Sequence, residues 1–216
     1  MRSLLRNMRF YVLLTSGVVA VVEYSTVVQT TEQAFVPTTL AQVYAFTAVI
    51  YLYVALFCGP LTKLALWLPL RAKYIFARRA IGVSAFFFVL LHVRFGLYDV
   101  LGGPFALLQL PVKYQIAVVL GNIAFLVLLF MTATSFDVVI QKLTFARWKR
   151  LHQFVYLAGF AVVIHATLIG SHFANIWSPI PLIMYIATAV LIILHLIGLK
   201  RKHDLLKPQS TPRSSV

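Results

Sequence analysis

Three histidines, His92, His152 and His165, sit inside stretches apolar enough to lie in lipid. An imidazole in hydrocarbon is costly when it binds nothing, so each marks a functional position. Imidazole is also an axial ligand for haem iron. Two histidines at one depth on neighbouring helices are what a bis-imidazole haem needs. His152 and His165 share one apolar segment, HQFVYLAGFAVVIH, 13 residues apart. On a helix rising 1.5 Å per residue that is about 20 Å, enough to place two haems in series across one membrane.

The elements that must position them follow from composition. Of 216 residues, 61% are hydrophobic and 11% charged, against about 45–50% and about 25% in soluble domains. Six apolar stretches emerge, at residues 10–29, 40–60, 80–98, 115–134, 153–172 and 180–199. Each is long enough to cross about 30 Å of hydrocarbon as a helix. The expectation is an all-α integral membrane protein, a six-transmembrane-helix bundle holding haem between helices 3 and 5. One haem-binding domain is expected over residues 1–206, followed by a disordered cytoplasmic tail over 207–216. Gly59-Pro60 is expected to end the second helix, and Pro179 and Pro181 to open the sixth. The basic start Arg2, Arg6 and Arg9 resembles a signal peptide, but the apolar run continues through Val28, so a retained first helix is expected.

The net charge of +14 would suggest nucleic acid in a soluble protein. The positions of the charges say otherwise. Besides the three N-terminal arginines, Lys63, Arg71, Lys73, Arg78 and Arg79 lie between the second and third stretches. Lys142, Arg147, Lys149 and Arg150 precede the fifth, and Lys200, Arg201, Lys202, Lys207 and Arg213 follow the sixth. That puts 17 of the 19 basic residues on one side. By the positive-inside rule this side is cytoplasmic, with both termini on it. The charge then attracts anionic membrane lipid or an acidic soluble partner, and no nucleic acid is implied. The basic, apolar segments 61–79 and 139–151 are expected along the interface, with Trp67 and Trp148 at headgroup depth.

His92 and His165 each lie about 12 residues into a helix running outward, so their depths match. His152 lies at the cytoplasmic entrance of the fifth helix. Thirteen residues at about 100° leave His152 and His165 about 140° apart around an ideal helix, so either the helix bends to face both to one interior or each haem occupies a different side. Gly159, midway, is a candidate for that bend or for a porphyrin edge. Arg78 stands 14 residues before His92 on nearly the same face, so no second imidazole lies opposite His152. Arg78 or Arg79 suits haem propionates or a flavin phosphate. His195 is a weak substitute as inner ligand, and His172 could meet a propionate or an external acceptor. Arg94 either snorkels or meets a propionate. Lone cysteine Cys58 excludes a disulfide and a thiolate metal site.

These residues, with their neighbours, resemble the ferric reductase-like transmembrane domain family. The resemblance covers about residues 60–170. It is carried by Arg78-Arg79-Ala80-Ile81-Gly82 with Leu91-His92, and by Thr134-Ser135, Arg147-Trp148, Leu151-His152, Phe154-Val155-Tyr156-Leu157 and Ile164-His165. Within the family the pattern is most similar to the haem-binding membrane subunits of the bacterial periplasmic methionine-sulfoxide reductase system. The resemblance implies that His92 and His165 ligate a b-type haem and that His152 belongs to a second haem or its approach. It leaves one or two haems, and a flavin (FMN), open. It implies a b-type cytochrome relaying electrons from a cytoplasmic flavin reductase or quinol to a periplasmic, molybdenum-containing reductase subunit.

No Gly-rich dinucleotide fingerprint is present, so a separate electron donor is expected. Two rivals remain. One is a stand-alone ferric or quinone-linked transmembrane reductase. The other is a haem-free scaffold or transporter subunit, which the few polar residues of the fourth helix (Asn122, Thr132, Thr134) disfavour.

Overall fold

The computed structural model describes residues 2–64, 71–173 and 175–205. Trp67 and the tail 207–216, both assigned roles above, lie outside the described residues. So does most of the link between the second and third spans.

Among the described residues every regular element is helical. Helix α1 spans Arg2–Thr30, α2 Val36–Leu64 and α3 Arg71–Val93. A run of wider π turns, Arg94–Val100, continues α3. Gly102 and Gly103, at φ 77° and 120°, then turn the chain where a side chain would be strained. Helix α4 covers Val112–Ala133. Short helices α5 (Asp137–Lys142) and α6 (Phe145–Leu151) follow, then a 3₁₀ turn at His152–Phe154, α7 (Val155–Ile169) and α8 (Pro179–Leu205). Six segments are long and apolar enough to cross a membrane: 8–30, 33–62, 73–100, 112–133, 146–169 and 179–198.

Two boundaries differ from expectation. Gly59-Pro60 does not end α2; Pro60 sits inside it. The Thr62 hydroxyl donates back to the Cys58 and Gly59 carbonyls of the preceding turn, within the same helix. Helix α3 begins at Arg71 rather than near residue 80. Nothing between Arg71 and the first apolar residues breaks a helix, and long basic side chains at a membrane helix end can reach the interface. The 139–151 segment folds as α5 and α6. Thr144 caps α6 by accepting from the Arg147 N–H, and the Trp148 indole donates to the Thr134 carbonyl at 3.2 Å.

The bundle is two tight pairs, α2 on α3 and α4 on α7, with α1 against α3 and α8 along α2 and α7. One core cluster runs through the middle: Leu52 and Leu56 of α2, Phe86 of α3, Leu128 of α4, Ala158 of α7 and Leu191 of α8. Large apolar side chains elsewhere point outward, as lipid solvation allows. Polar side chains join helices in pairs. The Ser16 hydroxyl bonds that of Ser84 at 2.8 Å, and Thr47 donates to Glu23. At the basic end Asp137 bridges Arg79 at 2.7 Å and Arg9 at 3.5 Å, joining α5 to α3 and α1.

Candidate functional site

The two histidine-bearing helices α3 and α7 make little backbone contact with each other. Their rings meet instead. His92 and His165 stand 6.3 Å apart between ring centres, with planes at 83°. Each ring is pinned from behind. Nδ1 of His92 lies 2.8 Å from the Ala41 carbonyl of α2, and Nδ1 of His165 lies 2.7 Å from the Ala117 carbonyl of α4. A carbonyl oxygen only accepts, so each Nδ1 carries the proton and donates. Nε2 is then the lone-pair nitrogen of both rings. A carbonyl behind a ligating histidine fixes its tautomer in this way.

The spacing suits one metal atom between the rings. Metal–imidazole bonds of about 2 Å, plus about 1.1 Å from nitrogen to ring centre, put two flanking rings about 6 Å apart. Space for the His165 ring comes from α4. Ala117 is fully buried, and a Cβ on Gly121 would lie 2.9 Å from His165 Nδ1. On the other side Gly96, in the π turns, lets the chain pass His92; a Cβ there would meet its Cε1 at 3.9 Å. These residues carry no chemistry of their own and were not singled out from sequence. The one trace was the pair of small residues at 117 and 121, spaced to share a helix face.

His152 lies in the 3₁₀ turn between α6 and α7, away from the pair. Its Nε2 is 3.3 Å from the Thr134 hydroxyl, and its ring stacks on Trp148 at 4.2 Å. The turn bears on the angular problem. Three residues at three per turn add about 60° over α-helix, which brings His152 and His165 from about 140° to about 80° apart. Both consequently face α4, through Thr134 and Ala117. Gly159 is not the bend. It admits Leu56, whose Cδ1 would lie 2.9 Å from an added Cβ.

Arg78 and Arg79 part company. Arg79 binds the Ser135 carbonyl at 3.0 Å and Asp137. Arg78 turns inward, with Nε donating to the Ala55 carbonyl at 3.0 Å and its guanidinium over Gly59. Among the described residues it has no acidic partner. Arg94 pairs with Asp99 at 2.7 Å. His195 stacks on Tyr156 at 4.7 Å, and the His172 carbonyl accepts from Ser178. No group of three or more His, Cys, Asp or Glu side chains able to hold a metal ion occurs among the described residues. Between the two rings the described residues offer two imidazole nitrogens, one from His92 and one from His165.

Residues 44–164 match the profile of a family described as the ferric reductase like transmembrane component. The chain belongs to this family. The match spans just over half of the chain, includes His92, His152, Arg78 and Arg79, and stops one residue short of His165. Two relatives have similar sequences. The magnetosome protein MamZ of Magnetospirillum gryphiswaldense is 36% identical over 103 residues, 47% of this chain and 15% of MamZ. The protein-methionine-sulfoxide reductase heme-binding subunit MsrQ of Pectobacterium atrosepticum is 31% identical over 123 residues, 54% of this chain and 57% of MsrQ. The chain thus spans little more than half of the one relative and a small part of the other. Family membership and the six apolar helices together make this a multi-pass membrane protein.

Proposed function

We propose that the chain is a b-type cytochrome that carries electrons across a bacterial cytoplasmic membrane, with haem held by His92 and His165. The single observation that carries this reading is the pair of rings 6.3 Å apart, each bonded through Nδ1 to a backbone carbonyl. Haem supplies one-electron chemistry at its iron. The chain's residues fix both ring orientations, leave Nε2 as the donor atom on each side, and surround the pair with apolar side chains. Burial and the Nδ1 bonds tune the ligands' basicity and so the potential.

Arg78, inward and without an acidic partner among the described residues, is placed for a haem propionate or a flavin (FMN) phosphate. His152 is the candidate ligand of a second haem or lies on its approach. The one-sided distribution of basic residues supports a cytoplasmic position for both termini. Electrons enter there from a flavin reductase or quinol and leave outside. Likeness to MsrQ, a protein-methionine-sulfoxide reductase heme-binding subunit, supports a methionine-sulfoxide reductase catalytic subunit as acceptor. Moving each electron across the whole membrane is worth about 2.3 kcal/mol per 100 mV.

Proteoliposomes test the relay. Haem-loaded protein is reconstituted with trapped ferricyanide, and a membrane-impermeant reductant is added outside. Bleaching of the trapped ferricyanide that depends on the protein and is lost in His92→Ala supports the relay. Bleaching no faster than in empty liposomes overturns it.

A further inference from the structure

The chain has five acidic residues, and Glu23 stands apart from the rest. Asp137 pairs with Arg79 and Arg9, and Asp99, one residue from the end of its span, pairs with Arg94. Glu32 lies beyond α1 and is exposed. Glu23 lies inside the first span, 8–30, with no cationic partner among the described residues. Its Oε1 accepts from the Thr47 hydroxyl of α2. Its Oε2 is buried without a hydrogen-bond partner, the one such side-chain atom among the described residues.

The seam around this carboxyl is apolar. Ala20 and Val27, one turn to either side of Glu23, pack with Tyr44 and Ala48 of α2 and Phe88 of α3. The ionisable groups nearby are two phenols and one imidazole. Tyr24 is next to Glu23 on α1, and Tyr44 of α2 donates its hydroxyl to the Ala20 carbonyl. His92 of α3 is turned to Ala41 and His165. A carboxylate here would have one donor and no counter-charge, a costly state in hydrocarbon, whereas a neutral acid costs far less. Thr47 stands six residues from Ala41, about 9 Å along the α2 axis. Glu23 is therefore bonded to the helix that anchors His92, close enough for charges to be felt in a medium of low dielectric.

We propose that Glu23 is a proton-binding site within the membrane, a neutral acid that releases its proton when the haem is oxidised and regains it on reduction. The coupling rests on the cytochrome reading above; the neutral acid does not. Loss of an electron leaves one more positive charge beside His92, which favours a carboxylate nearby. As that electron passes to the acceptor, the Glu23 O–H bond breaks. The bonding pair stays on the carboxylate oxygen and the proton goes to water. One electron from the donor reverses the step, and Glu23 takes a proton back from water. Thr47 donates to Oε1 in both states. Thr30, the last residue of the span, is seven residues on, about 10 Å, so the proton has a short stretch of seam to cross. Glu23 lies outside the matched residues 44–164, so the family profile does not include this site.

The test uses the full chain in phosphatidylcholine nanodiscs. Infrared spectra of the haem-free chain are expected to show the C=O band of a protonated carboxyl at neutral pH. The band should move in heavy water and be missing in Glu23→Gln. No such band in wild type, or a band kept in the variant, overturns the site. Haem-loaded protein then tests the coupling, with the haem spectrum followed against pH at a fixed potential. Full coupling of one proton to one electron changes the ferrous-to-ferric ratio about tenfold per pH unit. In wild type the ratio is expected to fall at least about threefold per unit as pH rises, and in Glu23→Gln to stay flat. Oxidation of wild type should also remove the carboxyl band, a readout that needs no variant. A flat response in wild type, or the same response in both proteins, overturns the coupling. A chain that never takes up haem overturns the cytochrome reading and the coupling with it, and the haem-free band then still decides whether Glu23 is a neutral acid.

Discussion

His92 and His165 sit on helices that barely touch, yet their rings stand 6.3 Å apart at 83°. Each is anchored to a different neighbouring helix, His92 to α2 and His165 to α4. The pair is thus held by four helices and not by its own two. Near-perpendicular axial imidazoles compete for different iron d orbitals and leave them close in energy. The ferric protein is accordingly expected to give a strongly anisotropic low-spin electron paramagnetic resonance signal. A rhombic signal of the coplanar type would contradict the ring geometry.

Gly121 is expected to be as important as a ligand. A Cβ there lies 2.9 Å from His165 Nδ1, where the ring cannot yield without losing its bond to Ala117. Gly121→Ala should lower haem affinity about tenfold or more, the usual cost of disturbing a ligand's support. Gly96→Ala is the control. Its Cβ meets only ordinary contacts at 3.8 and 3.9 Å, so haem content should stay at the wild-type level. Haem titration of the two variants checks both.

Removal of His152 separates one haem from two. Its Nε2 is engaged by Thr134 and its ring by Trp148, and no histidine of α3 faces it. A haem-to-protein ratio unchanged in His152→Ala removes His152 as a ligand and leaves it on the approach. A ratio that falls by half assigns a second haem to His152.

Asp137 gives a small, pH-dependent contribution to stability. Its hydrogen bond to Arg79, with the charges of Arg79 and Arg9, holds its carboxyl below the ordinary 3.8. A depressed carboxyl pKa stabilises the fold above the unfolded value and loses the effect as pH falls through the folded one. The carboxylate is largely exposed, so the ion pair contributes less than about 1 kcal/mol. Asp137→Asn should therefore lower the melting temperature slightly at pH 7, and the difference should vanish below the folded-state pKa. A deficit that persists in acid would mean that Asp137 acts through packing.

Much of this site could be read from the sequence. Apolar runs exposed the six spans, and equal distances into two outward-running helices matched His92 with His165. The fifth-span bend was anticipated as one of two options, but its location was not. Nothing in Leu151-His152-Gln153-Phe154 marks a 3₁₀ turn, in which His152 meets Thr134 of a different helix end and Trp148 of the preceding helix. Pro60 misled in the opposite direction, since a proline inside a membrane-spanning helix need not end it. The carbonyls of Ala41 and Ala117 were invisible because every residue carries one, and only packing decides which meets an imidazole.

The most direct test of the central claim is the reduced-minus-oxidised spectrum of the purified chain expressed with ample haem. A low-spin b-type spectrum is expected in wild type, and its loss is expected in both His92→Ala and His165→Ala. A colourless wild-type protein, or a spectrum unchanged in either variant, would contradict haem ligation by this pair.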